Sequence, residues 1–340
     1  MEHPHHLTRW YIDTRPLTSS TTTLPLLSSL TEADQTSVQK YYHTKDKHMS
    51  LASNLLKYFF IHQTCRVPWS SIVISRTPDP HRRPCYIPNA SSDTQNTQKG
   101  ETPPKIEFNV SHQASMVAIV GTVIPPAGTE GANTKLSIPE VGVDITCVNE
   151  RQSPSVERRT LASLHSYIDI FSEVFSASEI MAMKTLDGVP PGLDEERRID
   201  YGYRLFYTYW ALKEAYIKMT GEALLAPWLR ELEFSDVVAP AAERGDGVFG
   251  EPYRGIRTTL HRKLVEDVRI EVVALEKDYL MATAARGGGV GVGVRLGLDD
   301  GEEPWRPFTK LDIEKDIRPC ATGACGCSSW DREDITMHRD

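Results

Sequence analysis

Residues 31–62, "TEADQTSVQKYYHTKDKHMSLASNLLKYFFIH", set Val38, Tyr42, Met49, Ala52, Leu55, Leu56 and Phe59 mostly at helical spacing, which predicts one or two helices. A short β-branched run, "SSIVISR", reads as a strand broken by "TPDPHRRP", and the polar, Pro-flanked "NASSDTQNTQKGETPPK" reads as a loop. Strands follow at "IEFNV" and "SMVAIVGTVI", bracketing "SHQA" as a tight connection, so that Ser111 and His112 leave a strand at a turn. After the irregular "PPAGTEGANTKLSIPE", "VGVDIT" is again a strand. Helices are expected over roughly 153–171, at "FSASEIMAMKTL" with Ser176 or Ser178 as N-cap, and around 200–220. Strands return at "LEFSDVV", "TTLHRKLV", "VRIEVVALE" and "YLMATAA". The run "RGGGVGVGVRLG" loses both apolar periods, so everything beyond about 286 reads as a linker and a loosely held tail. Each half thus offers helices with a few mainly antiparallel strands, an α+β arrangement whose junction falls in 125–141.

Length changes this picture little: 340 residues favour two domains over one. A net charge of −8 argues against nonspecific nucleic-acid binding and means that an anionic ligand needs a local basic pocket. Neither a signal peptide nor a membrane span is expected, since the amino terminus lacks an apolar run and no stretch nears 18 uninterrupted apolar residues. A cytoplasmic enzyme is the resulting expectation. Six cysteines are too few for a disulfide scaffold, and Cys65, Cys85 and Cys147 read as reduced core residues. The tail "CATGACGC" lacks the C-x2-C pairs of a structural zinc site. His3, His5 and His6 read as part of a solvated terminus.

Three stretches carry chemistry. In "FYTYWALKEAYIKMTG", Leu205, Tyr209, Leu212, Tyr216 and Met219 form a core-facing stripe, while Glu214 and Lys218 lie on the other side, one turn apart. Phe206, Trp210 and Ile217 flank that pair with a second apolar strip. Taken alone, it also fits an ordinary i,i+4 surface pair. In "VGVDITC", Val141, Val143 and Ile145 share one strand face; Gly142 and Asp144 share the other, so a carboxylate projects where the missing side chain lets something large approach. A solvated strand-end Asp fits equally well. In "FNVSHQ", Ser111 and His112 are placed to donate into a cleft, although a lone His is more often structural.

Taken in order, "FNVSHQ", "VGVDIT" and "WALKEAYIKMTG" resemble the phosphopantetheinyl transferases, specifically the larger monomeric class of surfactin-synthetase and eukaryotic general type, over about residues 40–285. The length and inserts are similar to those of a fungal general-purpose member. The resemblance implies a pseudo-twofold pair of similar α+β domains, here 1–139 and 140–286, with 287–340 as a linker and tail and the active site in the cleft between the halves. It implies transfer of the 4′-phosphopantetheine arm of coenzyme A to a serine of acyl or peptidyl carrier domains, with Mg²⁺ required and adenosine 3′,5′-bisphosphate released. Carriers of fatty acid, polyketide and nonribosomal peptide synthases, and aminoadipate reductase of lysine synthesis, are the implied partners.

By match of motif, Asp144 and Glu214 become the magnesium ligands, and Lys213 and Lys218 lie near the pyrophosphate. Asp144, Glu214 and Lys218 form the implied catalytic set, with Glu214 also the candidate base. Asn109, Ser111 and His112 fall at the coenzyme A phosphates; Lys45, Ser50, Arg76 and Arg83 fall at the 3′-phosphate and adenine end. Bacterial members show Asp-x-Glu where Thr146 stands here, which implies one more water on the metal, steered by Gln113, and a weaker metal affinity. Leu224, Leu225 and Trp228 offer a docking surface or ordinary loop packing. Two rivals are a coenzyme A-binding module without turnover, which would dispense with the carboxylates, and another magnesium-dependent phosphoryl transferase, which would carry a G-x4-G-K-[ST] cradle absent from this chain.

Overall fold

The first half opens with strand β1 (Thr8–Asp13), followed by helices α1 (Arg15–Ser20), α2 (Glu32–Gln39) and α3 (Thr44–Cys65). A small hairpin, β2 (Ile74–Arg76) and β3 (Pro84–Tyr86), precedes a long one, β4 (Ile106–Gln113) and β5 (Met116–Val123). The second half repeats this grammar: β6 (Glu140–Cys147), helices α4 (Leu161–Asp169), α5 (Ala177–Thr185) and α6 (Glu195–Thr220), a small sheet of β7 (Leu232–Ser235), β8 (Arg257–Leu260) and β9 (Lys263–Leu264), then the hairpin β10 (Val268–Leu275) and β11 (Tyr279–Arg286). Both main sheets place the second hairpin strand in the centre, in the orders β1-β5-β4 and β6-β11-β10. This recurrence of strand, long helix and hairpin is the paired α+β architecture expected from the motifs. The coordinates are a computed structural model that describes residues 7–78, 81–88, 103–125, 138–149, 160–222, 226–287, 290 and 304–326. The polar stretches at 89–102 and 126–137, the amino-terminal histidines, Leu224, Leu225 and Cys327 lie outside the described residues.

Local chemistry fixes the helix starts. Thr31 accepts from the Asp34 N–H to cap α2, Asp194 caps α6 through Arg197 N–H, and Ser176 forms a reciprocal box with Glu179 at α5. Long-range packing then orders the layers. α3 packs Leu55, Phe59 and Phe60 on the outer face of the first sheet, against Phe108, Val117 and Ile119. The inner faces of the two sheets meet through Met116, Ala118 and Val120 against Val141, Val143 and Ile145. On the far side α6 covers the second sheet, with Leu212, Ala215 and Met219 against Leu280, Ala282 and Ala284. No helix among the described residues is long and apolar enough to cross a membrane.

Two expectations need correction. "SHQA" is not the hairpin connection: Ser111, His112 and Gln113 continue β4, paired with Ala118, Val117 and Met116. The turn is Ala114–Ser115, both in the left-handed region at φ 46° and 72°. Neither residue signals that geometry, which tertiary bonds enforce: Tyr279 Oη donates to Ala114 O at 2.7 Å, and Thr14 N and Oγ1 donate to Ser115 O at 2.8 and 2.9 Å.

The region beyond 286 is not uniformly loose. β12 (Thr309–Lys310) adds to β1 in parallel, a π-helical turn at Ile313–Ile317 buries Ile317, and α7 (Arg318–Ala321) packs on α3. Trp305 and Phe308 cover the guanidinium of Arg9, which is ion-paired with Glu271 in the interior. Without that cover the pair would face water, so the returning segment completes the fold.

Candidate active site

Gly142 decides how α6 sits on the second sheet. A Cβ there would run into the Ala215 carbonyl and the Met219 amide, so only glycine lets the helix backbone approach the strand this closely. Two residues on, Asp144 projects from the same face of β6 toward Lys218, and Glu214 sits one turn earlier on α6. What the missing side chain admits is therefore the motif helix itself.

Asp144 is 5 % exposed and surrounded by donors. Lys218 Nζ lies 2.6 Å from its Oδ1, Ser111 Oγ donates to the same oxygen at 3.2 Å, and Thr146 Oγ1 donates to Oδ2 at 2.6 Å. Lys218 also donates to Ser111 Oγ at 3.0 Å and lies 3.7 Å from Glu214 Oε2. Burial pushes the Glu214 carboxyl above the ordinary glutamate range; Lys218 opposes that rise and the charge of Asp144 reinforces it. Two carboxylates thus converge on one ammonium, an arrangement that attracts further positive charge. Beside it lies a small recess lined by Gln113, Thr146, Phe171, Phe206, Tyr207 and Trp210.

The β4 residues of this group do a second job. β6 is the edge strand of its sheet, and its outward amides at Val143, Ile145 and Cys147 are met by side chains of β4: Asn109 Oδ1 at 3.2 Å, Ser111 Oγ at 3.3 Å and Gln113 Oε1 at 2.9 Å. Period two on both strands makes this ladder possible, and it satisfies amides that would otherwise lack partners at the seam. The motif "FNVSHQ" therefore stitches the halves together at the position where Asp144 is presented.

His112 points to the opposite face of β4 and is exposed. Although the residue keeps access to solvent, partial desolvation of the imidazole by the surrounding protein lowers it below the usual histidine range, as do the charges of Lys218 and Lys57, against a smaller opposing effect of Asp46. Lys57, on α3, was not singled out from the sequence. Burial pushes its ammonium down to about 8, with Asp34 raising and Arg76 lowering it. A signal was present: like Glu214, Lys57 interrupts an apolar helical run, here "LLKYFF".

The remaining predicted residues are dispersed. Lys45 is exposed in the first turn of α3 and Ser50 is half-buried one turn on. Arg76 is exposed and donates to Arg82 O at 3.1 Å. Arg83 pairs with Glu107 and donates to Met219 O at 3.3 Å, tying β3 to the end of α6. Trp228 packs edge-on against Tyr216, with ring centroids 6.0 Å apart.

Lys213 departs from its expected place beside the pyrophosphate. It is fully buried on another side of α6, 2.9 Å from Glu179 Oε2, and donates to Leu229 O at 3.0 Å and to Leu232 O. Five residues separate it from Lys218, roughly 140° around the helix, so the two ammonium groups cannot serve one ligand from the same face. Lys213 anchors α5 and β7 to α6.

Comparisons with known proteins identify the family. The model for the amino-terminal part of 4′-phosphopantetheinyl transferases matches residues 16–124, and that for the 4′-phosphopantetheinyl transferase superfamily matches residues 140–284. The chain is 68 % identical over 334 residues to 4′-phosphopantetheinyl transferase NpgA of Emericella nidulans, covering 95 % of this chain and 96 % of that protein. It is 54 % identical over 348 residues to 4′-phosphopantetheinyl transferase A of Aspergillus fumigatus, at the same coverages. An L-aminoadipate-semialdehyde dehydrogenase-phosphopantetheinyl transferase of Schizosaccharomyces pombe is 27 % identical over 206 residues, 60 % of this chain and 63 % of that one. With both halves matched and near-complete relatives at high identity, the chain belongs to the 4′-phosphopantetheinyl transferase family of enzymes.

Proposed function

We propose that this enzyme transfers the 4′-phosphopantetheine arm of coenzyme A to a serine hydroxyl of acyl and peptidyl carrier domains, in a Mg²⁺-dependent reaction that releases adenosine 3′,5′-bisphosphate. The observation that carries this reading is the convergence of Asp144 and Glu214 on Lys218 at the seam between the halves. Hard carboxylate oxygens suit Mg²⁺, and the Glu214 carboxyl, raised chiefly by burial and further by the charge of Asp144, is one whose ionised form a cation would favour. Asp144 and Glu214 would hold the ion, with Gln113 reaching it through water. When bound, Mg²⁺ would supply charge neutralisation for the diphosphate.

The protein groups divide the rest of the work. Lys218 supplies a positive donor for the charge that grows on the leaving bisphosphate. Thr146 holds one oxygen of Asp144 and Ser111 the other, so the carboxylate is fixed before the substrate arrives. Glu214, partly desolvated, is suited to accept the proton of the attacking serine near neutral pH. On the first half, the mutual electrostatic influence of Lys57 with Arg76 and with His112 supports a basic region that would take the nucleotide end of coenzyme A, to which the motif match would add Lys45, Ser50 and Arg83. The name of the Schizosaccharomyces pombe relative, an L-aminoadipate-semialdehyde dehydrogenase-phosphopantetheinyl transferase, supports aminoadipate reductase as one acceptor; carrier domains of fatty acid, polyketide and nonribosomal peptide synthases are the further acceptors of this reading. Incubation with an apo carrier, coenzyme A and Mg²⁺ should raise the carrier's mass by one phosphopantetheine arm. Bound coenzyme A with no gain would instead make the chain a binding module.

A further inference from the structure

We propose that His62, Cys320 and Cys325 form a binding site for a thiophilic divalent cation, Zn²⁺ in the first instance, that pins the carboxyl-terminal segment to α3. His62 lies more than 250 residues before the two cysteines, yet one ligand atom from each of the three side chains lies within 4.8 Å of the other two. His62, buried in α3, places Nδ1 2.7 Å from Val67 O. A carbonyl oxygen only accepts, so Nδ1 carries the proton and Nε2 keeps its lone pair. That lone pair faces Cys325 Sγ at 3.3 Å.

The tail is shaped to return its second sulfur. Just past the end of α7, Gly323 takes the left-handed region at φ 74°, and the amides of Ala324 and Cys325 both donate to Pro319 O. This reversal sets Cys325 beside buried Cys320. Gln63 Nε2 reaches Cys320 Sγ at 3.3 Å, an outer donor that favours the thiolate.

Tetrahedral zinc with its usual Zn–S and Zn–N bonds separates ligand atoms by roughly 3.5 to 3.8 Å. The histidine–Cys325 pair already stands near that separation, and the widest pair would close by about 1 Å. Two sulfurs and one imidazole are soft ligands, which select Zn²⁺ and disfavour Mg²⁺. The site is therefore chemically separate from the Asp144–Glu214 pair. Binding one ion replaces the S–H···N contact and releases the two thiol protons to solvent. Because α7 follows the segment that covers Arg9 and Glu271, the ion would staple that cover in place.

Titration of the full-length protein, kept reduced, with Co²⁺ tests this directly. One ion per chain should bind with a thiolate-to-cobalt charge-transfer band, which oxygen ligands and the amino-terminal histidines alone do not produce. Zn²⁺ should bleach the band and raise the melting temperature. Cys325→Ser should lose at least half of the band, and the Cys320→Ser/Cys325→Ser double variant all of it, with circular dichroism confirming that each is folded. Should the double variant fold poorly, alkylation protection in the wild type serves instead: bound Zn²⁺ should slow modification of Cys325 at least tenfold. Absence of a thiolate band, or an undiminished band in the folded double variant, overturns the site. So does a Cys320–Cys325 disulfide that re-forms in the presence of Zn²⁺.

Discussion

Replacing Lys213 with methionine separates what the motif implies from where the side chain lies. The ammonium makes three contacts inside the second half: Glu179 Oε2 at 2.9 Å, Leu229 O at 3.0 Å and Leu232 O. Both charged side chains are wholly excluded from solvent. Methionine fills much of the volume but leaves an anion and two carbonyls without that donor, and breaking a buried pair on one side costs about 3 to 5 kcal/mol. Glu179 keeps the amides of Ser176 and Phe234, at 2.8 and 2.9 Å, and can take up a proton, so the lower end of that range is expected. At roughly 2 to 4 °C per kcal/mol, the melting temperature should fall by about 6 to 12 °C.

Burial already raises the Glu179 carboxyl, and losing Lys213 raises it further. A group whose folded-state pKa lies above its unfolded value favours folding at low pH, so the stability deficit should be smallest in acid and grow as pH rises through the folded value. Glu179→Leu added to Lys213→Met should restore part of the loss. Melting curves between pH 5 and 8 supply the stability assay, and initial transfer rates well below the melting temperature supply the activity. Per folded molecule, the KM for coenzyme A should stay within about twofold of wild type, less than 0.5 kcal/mol. An unchanged melting temperature with a collapse in coenzyme A saturation would refute the placement.

Further outcomes follow from the same geometry. Lys218→Met removes the charge that opposes the rise of Glu214, so the acidic limb of kcat/KM should move to higher pH at saturating Mg²⁺; an unmoved limb would show that Glu214 is not the titrating base. Thr146→Val keeps the shape but takes the donor from Asp144 Oδ2, and kcat/KM should fall roughly tenfold with the carrier KM unchanged, as initial rates will show. Ala114→Gly should stabilise the protein by up to about 1 kcal/mol in denaturant titration, because glycine relieves the left-handed strain at φ 46° while keeping the Ala114 carbonyl for Tyr279.

Much of the fold was legible because its elements are locally self-consistent. The apolar stripe of α6, the Ser176 cap and the β-branched strands signal themselves, and each is present. The facing of Glu214 and Lys218 was likewise readable from helical spacing, and Gly142 beside Asp144 announced a close approach. Partner identity was not. Spacing separates Lys213 from Lys218 but does not say that Glu179 waits on Lys213's side, since that depends on how α5 and β7 pack. Nor does alternation in β4 reveal that Asn109, Ser111 and Gln113 spend acceptors on the β6 amides.

The hairpin turn was misplaced because Ala114 and Ser115 hold a conformation that tertiary bonds impose, not one their side chains favour. The tail was misread for a different reason. Glycine dominates up to about 297, and it drew attention away from Trp305, Phe308, Ile313 and Ile317, all of which are buried. Cysteine spacing alone also hid the tail's proximity to a histidine on α3.

The most direct test of the account is a Mg²⁺ titration of transfer rate for wild type, Asp144→Asn and Glu214→Gln, with coenzyme A and an apo carrier saturating. If the two acids jointly hold the ion, each amide should lower kcat by at least about a hundredfold and shift half-saturation to higher Mg²⁺, while the fold is retained. Wild-type rates in either variant, with an unaltered Mg²⁺ curve, would contradict it.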